Sequence, residues 1–227
     1  MPQVIQFINE LKSYTAPEVY NPWVDFDGKF DIGEMAPGIR CDQLEKYLRL
    51  RLDEAKYIFV AEALGYQGGH FSGIAMTSER ILLGYHPIVH SSMVIGGNGQ
   101  RTSNAGHPNI KKKCREEGYN EPTATIVWES ILKNSKSPMD VILWNIFPFH
   151  PFKKGNLLTN RTPSLAELEA GAAYLRSLQN IIPNAQIISI GAKSDKTLAE
   201  FGIQHASVPH PANGGANDFR ARIADLL

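Results

Sequence analysis

The chain lacks most of the features that announce a function directly. It has 2 cysteines in 227 residues, Cys41 and Cys114, far apart and outside any CxxC. That spacing argues against a disulfide framework and predicts two ordinary thiols in a reducing compartment. No run of about 18 apolar residues exists to span a bilayer. The opening MPQVIQFINELK is too polar for a secretory leader. A cytoplasmic location and no membrane partner are therefore expected. Lys+Arg and Asp+Glu both total 23, so any affinity for a polyanion must come from a local basic patch. Several motifs are missing too. There is no GxxxxGK[ST]; the glycines of GGNGQR do not form GxGxxG after a strand; there is no GxSxG and no HExxH. His86, His90, His107, His150 and His205 are not spaced as metal ligands. No metal or other cofactor is expected.

What is present reads as one globular domain over residues 1–227, with 43% hydrophobic and 20% charged residues. Helical spacing of apolar residues marks Val4–Leu11, Cys41–Ala55, Thr123–Lys133 and Leu165–Gln179, with shorter helices at Ser194–Phe201 and Asn217–Leu227. Buried strands are expected at Tyr57–Ala63, Val141–Phe147, Gln186–Gly191 and Ala206–Val208. Pro- and Gly-rich punctuation makes Tyr14–Arg40 an extended loop in which Tyr20 and Trp23 plug the core edge. Tyr85–Pro122 is long and irregular. The alternation of helix and strand predicts an α/β fold of three layers, α/β/α, around a mostly parallel sheet of about four strands. Ligands of such sheets bind outside the carboxyl ends of the strands. That rule puts Glu62–Ser72, Asn145–Pro151 and Pro209–Asn213 on one rim.

Glu62, Asn145 and His210 are the chemically capable groups there. Singly, each is an ordinary loop or strand-end residue; together they suit a planar heterocycle. The Asn145 carboxamide offers a donor beside an acceptor, complementing O4 and N3–H of uracil. His210 offers a donor to O2 of a departing pyrimidine, where charge builds as an N-glycosidic bond breaks. Glu62 can hold a water and stabilise a cationic sugar.

Three stretches then carry a resemblance. VAEALGYQGGHFSGIAMTSER is similar to the first motif of the uracil-DNA glycosylase superfamily, in its bacterial members with a GEAPG-type loop. WNIFPFHP resembles that family's central strand with its base-reading asparagine, and VPHPANGG resembles its second, histidine-bearing motif. The resemblance implies a monofunctional DNA N-glycosylase that hydrolyses uracil from single- or double-stranded DNA, releases free uracil, and acts as a monomer in the bacterial cytosol or nucleoid. It implies catalytic roles for Glu62, Asn145 and His210. It places Ala61, Ala63, Gly65 and Tyr66 around the base, with Met76 where the family stacks a phenylalanine, or Phe71 substituting for it. DNA contacts would come from Thr77, Ser78, Lys153, Lys154, Arg161, and the loop Pro211, Asn213, Gly214 and Gly215. Lys111, Lys112, Lys113, Arg115 and Arg220 are further phosphate candidates. That loop lacks a large apolar wedge, which favours single-stranded or mismatched substrates. Ala61 and Leu64 depart from the family's glycine and proline. Two distant cysteines cannot hold the iron–sulfur cluster of some members. Competing expectations are a glycosylase for hypoxanthine or a 5-substituted uracil, a silent DNA-binding protein of the same fold, and a small-molecule hydrolase, the last disfavoured because no nucleophile–base pair is visible.

Overall fold

The computed structural model describes residues 2–108 and 110–227. Its centre is a four-stranded parallel sheet. In chain order the strands are β1 (Val19–Tyr20), β2 (Tyr57–Ala63), β3 (Val141–Phe147), β4 (His150–Pro151), β5 (Gln186–Ile190) and β6 (Ala206–Val208). The sheet runs β3-β2-β5-β6, and β1 pairs with β4 in a separate antiparallel ribbon. All seven residues of β3 are buried. Since successive side chains point to opposite faces, helices must cover the sheet on both sides, which explains why VILWNIF is almost continuously apolar. The helix Leu165–Ile181 packs along β3, and the helix Ala192–Glu200 along β5 and β2. Leu165–Ile181 starts where a capping box says it should. Ser164 accepts from the backbone N–H of Glu167, and Glu167 reaches back to that of Ser164.

The first half departs from the sequence reading in one place. The helix expected over Cys41–Ala55 spans Ala36–Arg49, and residues 51–54 form turns. Pro37 and Gly38 read as breakers. They occupy the first turn, where a missing N–H leaves no hydrogen bond unmade. The irregular Tyr85–Pro122 segment contains two short helices, Ser91–Ile95 and Lys112–Glu117. It is tied down by Glu79, whose buried carboxylate accepts from the backbone N–H groups of Thr102, Ser103 and Tyr119 and from the Ser103 hydroxyl. Tyr20 and Trp23 are core residues as expected.

Arg51 is fully buried and has no carboxylate against it among the interactions of the described residues. Its guanidinium donates to the carbonyls of Val141 (2.9 Å), Tyr47 (2.9 Å), Val94 (2.8 Å), Met93 (3.3 Å) and Pro138 (3.3 Å). It also lies 3.9 Å over the Tyr47 ring. Desolvation pulls its pKa down, while five carbonyl dipoles hold the charge in place. Replacing Arg51 by Ala strands those carbonyls in an apolar interior. The expected loss is about 3 kcal/mol or more, measured by urea denaturation of the purified protein.

Candidate active site

The chain reverses direction in the middle of the sheet. From β2 it moves outward to β3, then crosses back to β5 on the other side. The loops after β2 and β5 therefore diverge, and a hollow opens beyond their carboxyl ends. A cavity of about 440 Å³ lies there, a normal size for a small-molecule site. Residues 61–65 after β2, Asn145 on β3, residues 190–194 after β5, and His210, Ala212 and Asn213 after β6 line it. Met76, Glu121, Thr123, Asn160 and Arg161 complete it. Register explains the convergence: Ala61 pairs with Asn145, and Ile190 with Val208, so the strand ends fall level.

Glu62, Asn145 and His210 are thus brought to one cavity. Asn145 is 2% exposed, and its Oδ1 is buried with no hydrogen-bond partner. Such an orphan costs about 1–3 kcal/mol, so it marks a place where a bound donor is expected. His210 is positioned by two features. Gly191, at φ +86, leaves room for it, since a Cβ there would lie 3.0 Å from the His210 Cβ. The Ala212 N–H donates to His210 Nδ1 at 3.0 Å. Nδ1 is therefore the acceptor nitrogen, and the neutral ring carries its proton on Nε2. His210 is an exposed residue on the cavity lining. Desolvation there lowers its pKa, and the Glu62 carboxylate opposes that shift.

Glu62 meets an unexpected partner. Lys193 Nζ lies 3.2 Å from Glu62 Oε2 and donates to Thr162 Oγ1 at 2.9 Å. The lysine side chain is 63% exposed, so the pair contributes no more than about 1 kcal/mol and can open to an incoming anion. Arg161 lies on the cavity but is already engaged. Its guanidinium forms a two-pronged ion pair with Glu167, at 2.7 and 2.6 Å, and donates to the Glu18 carbonyl. The Arg161 hydrogen bonds hold the Glu167 carboxyl below the usual range.

The cavity holds a second acid, Glu121, at the residue preceding the helix Pro122–Asn134. Its side chain does not cap that helix. The carboxyl lies over Gly68 so closely that a Cβ on residue 68 would be 1.9 Å from Oε2. Oε2 is buried and unpartnered. Desolvation alone raises its pKa to about 7.

Of the other expected site residues, Ala61, Ala63, Gly65 and Met76 line the cavity. Met76 does so with a left-handed backbone, φ +45, which is unusual for a side chain of its size. Phe71 is not on the cavity; it is fully buried and stacked on Tyr119 at 4.3 Å between centroids. Tyr66 packs against that same satellite cluster and is not a lining residue. Thr77 and Ser78 are fully buried, so neither side chain reaches a phosphate. Thr77 instead donates to the Ala75 carbonyl and accepts from Trp128 Nε1. Lys153 and Lys154 are exposed on a turn. Pro211 is buried, while Asn213 and Gly214 take positive φ at the cavity mouth. Gly215 presses on the His210 carbonyl, 2.2 Å from where a Cβ would be. Lys112 and Lys113 pair loosely with Glu116 and Glu117 of their own short helix, so that basic run is largely self-neutralised. Arg220 approaches Glu129 at 3.9 Å.

Lys193, Asn160, Thr123 and Glu121 were missed by sequence reasoning. Lys193 had a signal, since it comes two residues after the strand end QIISIG. Glu121 had none, because an acid before Pro at a helix start reads as a helix-terminus charge.

No family model and no curated protein matches the chain. Among solved structures, the crystal structure of wild-type SMUG2 from Pedobacter heparinus matches over 99% of this chain and 95% of that one, with a TM-score of 0.60 and 18% identity. The likeness is one of fold: the parallel four-stranded sheet flanked by helices is the architecture of that structure.

Glu121 has a consequence for stability. Its value in the folded state stands above the ordinary 4.5, so the folded protein holds this proton more tightly than the unfolded chain. That contribution is fully present below about 4.5 and is lost as pH rises through about 7. The variant Glu121→Gln should therefore melt a few degrees above the native protein at pH 8, at about 2–4 °C per kcal/mol for this chain length. The two should converge at pH 4.5 in a differential scanning calorimeter.

Proposed function

We propose that the chain is a DNA glycosylase that hydrolyses the bond between deoxyribose and a uracil-type base, leaving an abasic site. The observation that supports this most is the orphaned Oδ1 of Asn145, buried in a cavity that also holds Glu62 and His210. It asks for a ring N–H, and uracil presents one at N3 between two carbonyls. Cytosine presents an acceptor at that position and leaves the orphan unpaired.

The base must leave the duplex stack to enter such a cavity. The C1′–N1 bond then breaks with its electron pair going to the base, so negative charge spreads over O2 and O4 while C1′ becomes cationic. His210 Nε2–H donates to O2 from a neutral ring; a fixed donor aimed at developing charge acts most strongly in the transition state. Glu62 carries the opposite charge. It stabilises the cationic sugar and holds the water whose oxygen bonds to C1′. That water's proton passes to Glu62 and then to solvent, and the base leaves as its anion to be protonated in water. Lys193 lies at the mouth beside Glu62 and is placed to pair with a phosphate of the extruded nucleotide, loosening its hold on the acid as DNA arrives.

The measurement is direct. A single-stranded oligonucleotide with one uracil is incubated with the protein, and abasic sites are cleaved with alkali. Strand breaks should appear only after alkali; their absence in every sample removes the reading. Asn145→Ala and His210→Ala should each lower the single-turnover rate by about 10²–10³-fold, the effect of losing a fixed donor at developing charge, with circular dichroism unchanged. Because burial places the His210 value below the ordinary 6.5, activity should hold through pH 6.5. On the acid side it should fall only below that value, as Nδ1 is protonated and its bond from Ala212 is lost.

A further inference from the structure

Glu121 has no assigned part in the chemistry above, yet it is the most unusual polar group in the cavity. It stands just before the helix Pro122–Asn134, and its side chain makes no capping bond to that helix. Its carboxyl is instead turned onto Gly68, where only a glycine leaves space for it. Oε2 is buried there without a partner, as is Oδ1 of Asn145 in the same cavity. The two cations of the cavity are occupied elsewhere, Lys193 by Glu62 and Arg161 by Glu167. Among the described residues, no further Lys or Arg lines the cavity. Tyr119 is held neutral by burial, and His210 is neutral above its lowered value. Tyr66, on the same glycine-rich loop as Gly68, packs into the Tyr119 cluster. A carboxyl so placed, with no cation and no donor bonded to it among the described residues, is favoured as the neutral acid. In that form it is one O–H donor and one acceptor.

We propose that Glu121 is a second base-reading group, donating a hydrogen bond as the neutral acid to a ring carbonyl of the extruded base while Asn145 takes the adjacent ring N–H. This rests on the glycosylase reading and narrows it. The site then selects a lactam edge, a carbonyl beside an N–H, over an amino edge. The donor also serves the leaving group, because the departing base anion places charge on its carbonyl oxygens. An ionised Glu121 would set like charge beside that anion and oppose bond breaking. Glu121 keeps its proton throughout, so it adds nothing to the proton balance of hydrolysis. The pKa raised to about 7 fits this role and sets the pH at which it ends.

The test follows uracil release under single-turnover conditions from about pH 5.5 to 8.5, in the native protein and in Glu121→Gln, which keeps a neutral donor. The native rate should fall roughly tenfold per pH unit above about 7. The variant should stay level across that range, within about tenfold of the native rate at pH 6. Calorimetry of free uracil binding to the native protein, in two buffers of different ionisation heat, gives a readout that needs no variant. Binding should take up close to one proton at pH 8 and none at pH 5.5. Superimposable pH profiles, or binding without proton uptake at pH 8, would overturn the role of Glu121 while leaving the glycosylase intact. A native protein that neither releases nor binds uracil at any pH would instead remove the glycosylase reading, and this proposal with it.

Discussion

The candidate site depends on a ladder of backbone hydrogen bonds in which Ala61 stands opposite Asn145. Side chains on a strand alternate between faces, so a slip of one residue in β3 would turn Asn145 away from the cavity and bring an apolar neighbour in its place. That register is held mainly by packing, through seven buried residues on β3 and the helix Leu165–Ile181 lying along them. Two hydrogen bonds add to it, from the Arg51 guanidinium to the Val141 carbonyl and from the Leu143 N–H to the Tyr47 hydroxyl. The geometry of the candidate site is in that sense largely a by-product of apolar burial. β5 and β6, paired with the same precision, carry Gly191 and His210 to the matching height.

Two kinds of buried polar group exist in the molecule, and the contrast between them is informative. Glu79, Arg40 and Arg51 are completely buried and well supplied with partners. Glu79 gathers donors from three residues, Arg40 binds Asp31 at 2.8 Å, and Arg51 collects carbonyls. These networks stitch long loops to the sheet. Asn145 and Glu121, both lining residues of the cavity, each leave a buried oxygen without a partner. Unpartnered buried atoms also occur away from the hollow, at His70 Nε2, Ser78 Oγ and Trp144 Nε1 among others. The two oxygens on lining residues are the ones a ligand can meet, and rigid, unspent hydrogen-bonding capacity is what a recognition site requires.

The sheet was legible in the sequence because each strand is a short apolar run between turn residues, and VILWNIF and QIISI fall where they were expected. Glu62, Asn145 and His210 were legible because the strand-end rule converts three separate positions into one place. The start of the second long helix was not, since Pro37 and Gly38 have opposite meanings inside a helix and in its first turn. Phe71 and Tyr66 were assigned to the cavity by the resemblance of their glycine-rich stretch to a known motif. The turn at Gly68 and Gly69 carries both toward Tyr119 and Ile110 instead, a direction that spacing does not encode. Thr77 and Ser78 were read as phosphate contacts from their place near a helix start, and both are fully buried. Glu121 was illegible for the reason that makes it of interest: its environment comes from Gly68, some fifty residues earlier.

The guanidinium of Arg51 draws together carbonyls from the end of one helix, from the Ser91–Ile95 turn, and from the chain entering β3. Those parts share a single fastener. Fluctuations that expose one of them must expose the others, so the outer flank of the sheet should breathe as a unit. Amide protons there should exchange at a common rate, although the segments lie about ninety positions apart in the sequence.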